Sequence, residues 1–162
     1  MRLGTPLTGL ASGLLGTTAM SITLWAEGRA RPHVSGPVDY DASSHVVTAA
    51  STVLRWTPAT DAQRRALFLL VHWGYGSAVG LAYPPLRKAM NDAAATALFY
   101  AGCQTMAMTL FPTLGGTPPP WRWRRSILLS SLAQHAVYAV TVGVAARRIH
   151  ARRVISSSEQ SQ

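Results

Sequence analysis

The feature that most constrains this chain is a set of four long segments without a single lysine, arginine, aspartate or glutamate. They cover residues 7–26, 66–83, 93–111 and 126–146. At about 1.5 Å of rise per residue, helices of this length cross the roughly 30 Å hydrocarbon layer of a bilayer. Soluble four-helix bundles carry charge on the face opposite their apolar stripe, and these segments have no charged face. The sequence therefore predicts an all-α fold, an integral membrane four-helix bundle.

Charged residues are gathered at the edges of these segments. The chain has 15 Lys and Arg against 6 Asp and Glu, a net charge of +9, yet only 13% of its residues are charged, about half of the usual quarter. Basic clusters lie at 64–65, 87–88, 122–125 and 147–153. Such clusters are typical of membrane edges, whereas nucleic acid is bound by one basic stripe. We expect a bilayer with anionic headgroups as partner and no nucleic acid; a homo-oligomer or another membrane protein remains open.

Small residues recur at intervals of four within the predicted spans. In lipid, helices associate through close backbone approach at such residues. We therefore predict helix contacts at Gly9-xxx-Gly13 with Gly16, at Gly76-xxx-Gly80 and at Ala97-xxx-Ala101.

The first connection, residues 27–65, is long and polar. Within it the sequence SSHVVTAASTVLRW places apolar residues at helical spacing. This pattern predicts a short amphipathic helix, which lies either in the headgroup layer or over the bundle. Residues 1–153 are predicted to form one transmembrane domain, and the polar residues 154–162 a disordered tail.

Location and orientation follow from the ends of the spans. The first apolar segment is longer than a signal peptide's, which favours a retained helix in a multi-pass protein of the plasma (inner) membrane. The connections on the two sides carry nearly equal numbers of Lys and Arg, so the dense cluster at 147–153 alone favours cytoplasmic termini. The single cysteine, Cys103, excludes an intrachain disulfide and does not indicate a compartment.

Five polar side chains lie within or beside the predicted spans: Glu27, His72, Gln104, Gln134 and His135. Polar groups at membrane depth are costly, so each is a candidate for function. Histidine and a buried glutamate could relay protons. Alternatively, each neutral imidazole makes one interhelical hydrogen bond that fixes packing, and Glu27 forms an ion pair with the nearby Arg29.

Catalytic chemistry has little support in the sequence. Two histidines and one glutamate could hold zinc or iron, but no His-x-x-His or Glu-x-x-His spacing is present. Nucleophile and phosphate-loop motifs are also missing from the sequence. We predict no catalytic residue, no metal and no cofactor.

The sequence LFPTLGGTPPPWRWRR, residues 110–125, predicts the hairpin between the third and fourth spans. Proline disfavours continuation of the helix, two glycines permit a reversal, and the proline run stiffens the exit. Tryptophans suit the membrane interface. The residues of this interface corner are Phe111, Pro112, Gly115, Thr117, Pro118, Pro119, Trp121 and Trp123.

Four stretches carry a resemblance to a known family. They are LWAEGRARP with Trp25, Glu27 and Pro32, VHWGYGSAVGLAYPPLR with His72, the interface corner, and QHAVYAVTVGVAARRIHARR with His135 and Arg147-Arg148. In this order they resemble the YagU-like family of small bacterial inner-membrane proteins, a family of unknown function. The chain differs in having Gln134 where glycine is usual before the histidine, and residues 34–65 have no counterpart. The resemblance implies a membrane location and a helical architecture but no reaction.

These observations predict an integral plasma-membrane protein with a structural or accessory function. The alternative is a small transporter or proton-conducting protein that uses His72, His135 and Glu27. A further alternative is a membrane-embedded metal-dependent enzyme. Both alternatives require these three side chains to meet inside the fold.

Overall fold

The chain is seen in a computed structural model that describes residues 4–31 and 43–159. Over these residues the structure is helical without a strand, which confirms the predicted all-α class. The helices are α1 (Gly4–Ala30), α2 (Ser43–Leu54), α3 (Asp61–Val79), α4 (Tyr83–Ala89), α5 (Asp92–Leu114) and α6 (Arg125–Glu159), with 3₁₀ turns at Gly80–Ala82 and Pro120–Arg122. Pro32 of the family resemblance and residues 160–162 of the predicted tail lie outside the described residues.

The four long helices α1, α3, α5 and α6 alternate in direction. Helix α1 packs against α3 and α6, and α6 also packs against α5. Contacts between the end of α1 and the start of α6, and between the start of α5 and the later part of α6, establish these antiparallel directions. We call the end that holds Glu27, α2 and residues 115–124 the loop end. The opposite end, with residues 80–91 and Arg147, is the terminal end.

Glycines allow α1 and α3 to approach closely. A Cβ atom on Gly13 would lie 2.5 Å from the carbonyl oxygen of Ser77, and one on Gly9 would lie 2.8 Å from the Cα atom of Leu81. Gly76 of α3 and Gly80 of the following 3₁₀ turn face the same surface of α1, so the two predicted Gly-xxx-Gly motifs pack against each other. Their predicted role in helix contacts is confirmed, as is that of Gly16, which faces α6.

The third small-residue motif has a different environment. Ala97 and Ala101 are exposed, so they do not join helices within this chain. The buried positions of α5 are Ala95, Phe99, Cys103, Gln104 and Ala107, and all but Gln104 recur every four residues. Residues two positions away from this stripe necessarily point outwards, and the prediction for this motif was wrong.

Several polar side chains are buried in this fold, and many large apolar side chains are exposed. Ser12 and Thr17 are buried, at 0% and 2% exposure, whereas Leu7, Ile22 and Leu70 are 57%, 62% and 71% exposed. Within the described residues, three helical stretches are long and apolar enough to cross a membrane: Thr5–Ala30, Asp61–Ala89 and Arg125–Arg152. Helix α5, the predicted third span, is 23 residues long but is not among them. Its tyrosine, glutamine and threonines make it less hydrophobic.

Helix α2 lies within the long first connection and packs across both α3 and α5. It reaches the interface corner, because His45 Nδ1 donates to the carbonyl oxygen of Gly115 at 3.3 Å. The predicted short helix therefore exists, and its apolar side contacts other helices of the chain. Arg55 ends α2 with a φ of 53°, in the left-handed region that favours glycine.

Two predicted boundaries differ from the structure. Helix α5 continues through Pro112 to Leu114 and ends at Gly115, whose N–H donates to the carbonyl oxygens of Leu110 and Phe111. Proline has a φ compatible with a helix and removes only one backbone bond, so the last turn accommodates it. Helix α6 extends to Glu159, into the predicted disordered tail, because helical backbone bonds do not require an apolar face.

Candidate functional site

Glu27 is the centre of a polar cluster between α1 and α6 at the loop end. Its Oε2 accepts hydrogen bonds from the Ser130 hydroxyl and, at 2.8 Å, from Gln134 Nε2. Arg31 Nε lies 3.2 Å from Oε1, and the Glu27 side chain is only 11% exposed. The ion-pair partner is therefore Arg31, one helical turn on, and not the predicted Arg29. Arg29 instead stacks over the ring of Trp25.

His72 makes an interhelical hydrogen bond from α3 to α1, as the packing interpretation expects. The Ser21 hydroxyl donates its single proton to the Thr17 carbonyl oxygen at 2.8 Å. When that proton lies on the Thr17 carbonyl oxygen, Ser21 accepts the 2.8 Å bond, and the matching tautomer of His72 is the one protonated on Nε2. The lone pair of His72 Nδ1 has no partner among the described residues, and Phe68 stacks on the ring.

His135 makes its hydrogen bond within α6 rather than between helices. Its Nδ1 lies 2.8 Å from the Ser131 carbonyl oxygen, which can only accept, so Nδ1 carries the proton. Nε2 is then an acceptor without a partner in the described part of the chain. Gln104 crosses from α5 and donates to the Ser131 hydroxyl at 3.3 Å, and its Oε1 is buried without a partner there.

The predicted polar residues thus form separate groups. Gln134 joins Glu27, Gln104 approaches the α6 turn that holds His135, and His72 bonds to α1. Neither imidazole forms a hydrogen bond or ion pair with Glu27 in the described residues. No group of three or more His, Cys, Asp or Glu in residues 4–31 and 43–159 could hold a metal ion.

An interior cavity of about 680 Å³ lies next to these groups. Helices α3 and α5 do not form a packed interface of their own, and α2 bridges them at the loop end. The lining comes from all of these helices together with α1 and α6 and is mainly apolar. Its polar members include His72, Tyr75, Ser130, Gln134, His135 and Tyr138. His72 and His135, 63 positions apart in sequence, therefore line one cavity, and His45 of α2 lines it as well.

The terminal end of the fold is closed by a packed aromatic cluster. Tyr83 meets Phe99 edge to face at a centroid distance of 5.4 Å, and Phe99 stacks on Tyr138 at 5.8 Å. Tyr83 and Val142 have no exposed surface. The Tyr83 hydroxyl is satisfied by Thr96 at 2.9 Å. Of these aromatic residues, Tyr138 also lines the interior cavity.

The interface corner contributes to the cavity wall. Trp121 is 81% exposed, as an interfacial anchor would be. Trp123 instead folds back, donates its indole N–H to the Pro118 carbonyl oxygen at 2.7 Å and lines the cavity. Thr117 also lines it, and the Thr117 hydroxyl is buried with no hydrogen-bond partner in the described residues. Gly116, with a φ of 70°, provides the reversal that brings them there.

Several site residues were not predicted from the sequence. Ser130 lies four residues before Gln134, so helical spacing placed it on the same face, and this signal could have identified it. Ser21, Ser131 and Tyr138 offered no such signal, because small polar and aromatic residues are common throughout the spans.

Comparison of the chain with protein-family models, with curated proteins and with solved structures gave no match. The resemblance to the YagU-like family therefore stays a prediction. Over residues 4–31 and 43–159 the chain is helical without a strand, and three of its helical stretches are long and apolar enough to cross a membrane.

Proposed function

We propose that this chain is a multi-pass protein of the plasma (inner) membrane, related to the YagU-like family, with a structural or accessory function and no reaction of its own. In this proposal α1, α3, α5 and α6 form a four-helix transmembrane bundle. The termini are cytoplasmic, and a membrane protein or a second copy is the partner.

The exposure of large apolar side chains, together with the burial of hydroxyls between helices, is the observation that carries this proposal. Hydroxyls and glycines fill the contacts between helices, while leucines such as Leu14 and Leu70 cover the outside. In water this arrangement forgoes about 1.5–3 kcal/mol for each large side chain left exposed. In lipid, small residues at helix contacts are the usual solution, because exposed leucines meet apolar tails.

The distribution of charge along the helices also supports a membrane location. Between the loop end and the terminal end the helices carry no Lys, Arg, Asp or Glu, whereas Arg147 and Arg87 share Asp92 at the terminal end. Arg148 and Arg152 are exposed there, within reach of anionic headgroups. We assign the terminal end to the cytoplasmic side on the basis of this cluster.

Membrane extraction with polar substitutions tests this proposal. We expect the chain to stay in the pellet after alkaline carbonate treatment and to be released by detergent. Leu14→Ser with Leu70→Ser should lower the amount inserted, since both side chains face lipid. In a water-soluble protein the same double substitution would be neutral or improve solubility, and that result would contradict the proposal.

Proton conduction is the second candidate, because His72 and His135 line one cavity. Two features favour the accessory function instead: the lack of bonds between the histidines and Glu27, and the aromatic cluster at the terminal end. Proton flux into proteoliposomes separates the two. We expect the flux of empty liposomes, and a higher flux that disappears in His72→Ala with His135→Ala would establish conduction.

A further inference from the structure

We propose that the interior cavity binds one neutral, lipid-soluble molecule that has an apolar body and a hydroxyl head. This inference goes beyond the accessory function and rests on it only in assuming that the cavity is surrounded by lipid. The molecule would be held between α3 and α5, with its head near the two histidines.

The size and lining of the cavity determine the body of the ligand. Its volume of about 680 Å³ lies within the 300–1,000 Å³ of small-molecule sites, which are also mainly apolar with a few polar groups. Leu67, Val71, Met106 and Leu110 contribute apolar surface from both helices. An apolar chain or ring system is the ligand body that this lining favours.

Atoms of the cavity lining that have no hydrogen-bond partner determine the polar head group of the ligand. His135 Nε2 is an acceptor because the ring proton is donated to the Ser131 carbonyl oxygen, and His72 Nδ1 is one in the tautomer that donates to Ser21. The Thr117 hydroxyl is a third unpartnered group on the same cavity. Either ring nitrogen calls for a ligand that donates, and a hydroxyl does so with its single proton and without charge. The lining has no Lys, Arg, Asp or Glu to balance a charged head, so a carboxylate or ammonium would be disfavoured.

The mouth of the cavity indicates where the ligand comes from. Leu70, Val53 and Leu54 line the cavity and are also exposed, at 71%, 65% and 57%. The opening is therefore surrounded by apolar side chains on the outside of the fold. A ligand dissolved in the bilayer could enter there without passing through water.

Photolabelling of the full chain in lipid nanodiscs tests this site. The probe is hexadecanol with a diazirine in its chain, and labelled residues are located by peptide mass spectrometry. We expect labels on cavity-lining residues of α3 and α5, and competition by unlabelled hexadecanol. Hexadecyl methyl ether, which cannot donate a hydrogen bond, should compete roughly fivefold less well, the effect of about one hydrogen bond. Palmitate and hexadecylamine should also compete poorly.

Matched variants separate cavity binding from general lipid contact. Ala107→Trp fills the cavity from α5 and should abolish the labels, whereas Ala101→Trp places the same bulk on the exposed face of α5 and should leave them unchanged. His72→Phe with His135→Phe keeps both rings and removes both ring acceptors, so the double variant should abolish the preference for alcohol over ether that depends on them. If Ala107→Trp does not fold, Ala50→Trp fills the cavity from α2.

Three outcomes would overturn the proposal. Labels spread evenly over outward-facing residues would indicate lipid contact only. Equal competition by alcohol and ether would exclude the hydroxyl head. Disulfide formation between copies of Leu70→Cys in a Cys103→Ser chain would show that a second copy covers the mouth. Each can occur while carbonate extraction still supports the membrane location, so failure here differs from failure of the proposed function.

Discussion

Substitution of Gly13 by alanine is the most direct perturbation of the contact between α1 and α3. The added Cβ would lie 2.5 Å from the carbonyl oxygen of Ser77 and 2.9 Å from that of Gly76, where ordinary contacts begin at 3.4 Å. Both neighbours are backbone atoms and cannot rotate away. The helices must therefore separate by about 0.9 Å at this point.

The cost of that separation follows from packing. A radial gap of 0.5–1 Å forfeits about a quarter to a half of the dispersion energy of each contact. Inserting a methyl group into a close-packed site typically costs about 1–3 kcal/mol. We expect the free energy of unfolding to fall by about that amount, because α1 is in contact with both α3 and α6.

Unfolding by SDS in mixed micelles, followed by circular dichroism, measures this change. Gly28→Ala in α1 and Gly74→Ala in α3 are matched controls, since a Cβ on either glycine meets nothing within 4 Å. Both should be neutral or slightly stabilising through helix propensity. The packing cost given above is well over about 0.5 kcal/mol. If the free energy of unfolding of Gly13→Ala lies within about 0.5 kcal/mol of that of the controls, α1 and α3 do not approach each other as closely as described.

Further predictions concern the loop end. Glu27→Ala leaves the donors of Ser130 and Gln134 without their acceptor and should cost about 1–3 kcal/mol in the same SDS titration, while Glu27→Gln retains an acceptor and should cost less. Equal losses would show that the carboxylate position is not hydrogen-bonded. Arg55→Gly should slow amide exchange in α2, because it relieves a left-handed conformation that costs an L-residue roughly 1–2 kcal/mol. Arg55→Ala keeps that conformation and should not slow the exchange, and slowing by both substitutions would refute the explanation.

Residue patterns predicted the helices better than the contacts between them. Absence of charge located the helices because charge is costly throughout a membrane span, whichever face it occupies. The glycine pairs Gly9-Gly13 and Gly76-Gly80 were also predictable, because close approach of two helices requires small residues on both sides. Ala97 and Ala101 have the same spacing, but their exposure depends on which side of α5 faces α6, and that information lies in the partner helix.

Most polar residues of the candidate site were predictable from the sequence, but their hydrogen-bond partners were not. Glu27, His72 and His135 were identified as costly polar groups, yet their partners depend on how α1, α3 and α6 align along their axes. The proton positions on the two rings follow from Ser21 and from the Ser131 carbonyl oxygen, which no motif marks. The cavity itself arises because α2 bridges α3 and α5, a tertiary arrangement that single-helix patterns do not contain.

The sidedness of α5 tests the central claim, a bundle with four membrane spans, most directly. In a Cys103→Ser chain, Asn91→Cys and Trp121→Cys place single thiols at exposed positions on either side of α5. Sealed vesicles of known orientation are treated with a membrane-impermeant maleimide before and after lysis. We expect position 91 to be labelled from the cytoplasmic side and position 121 only from the opposite side. Labelling of both positions from one side would show that α5 does not cross the membrane and would contradict the four-span bundle.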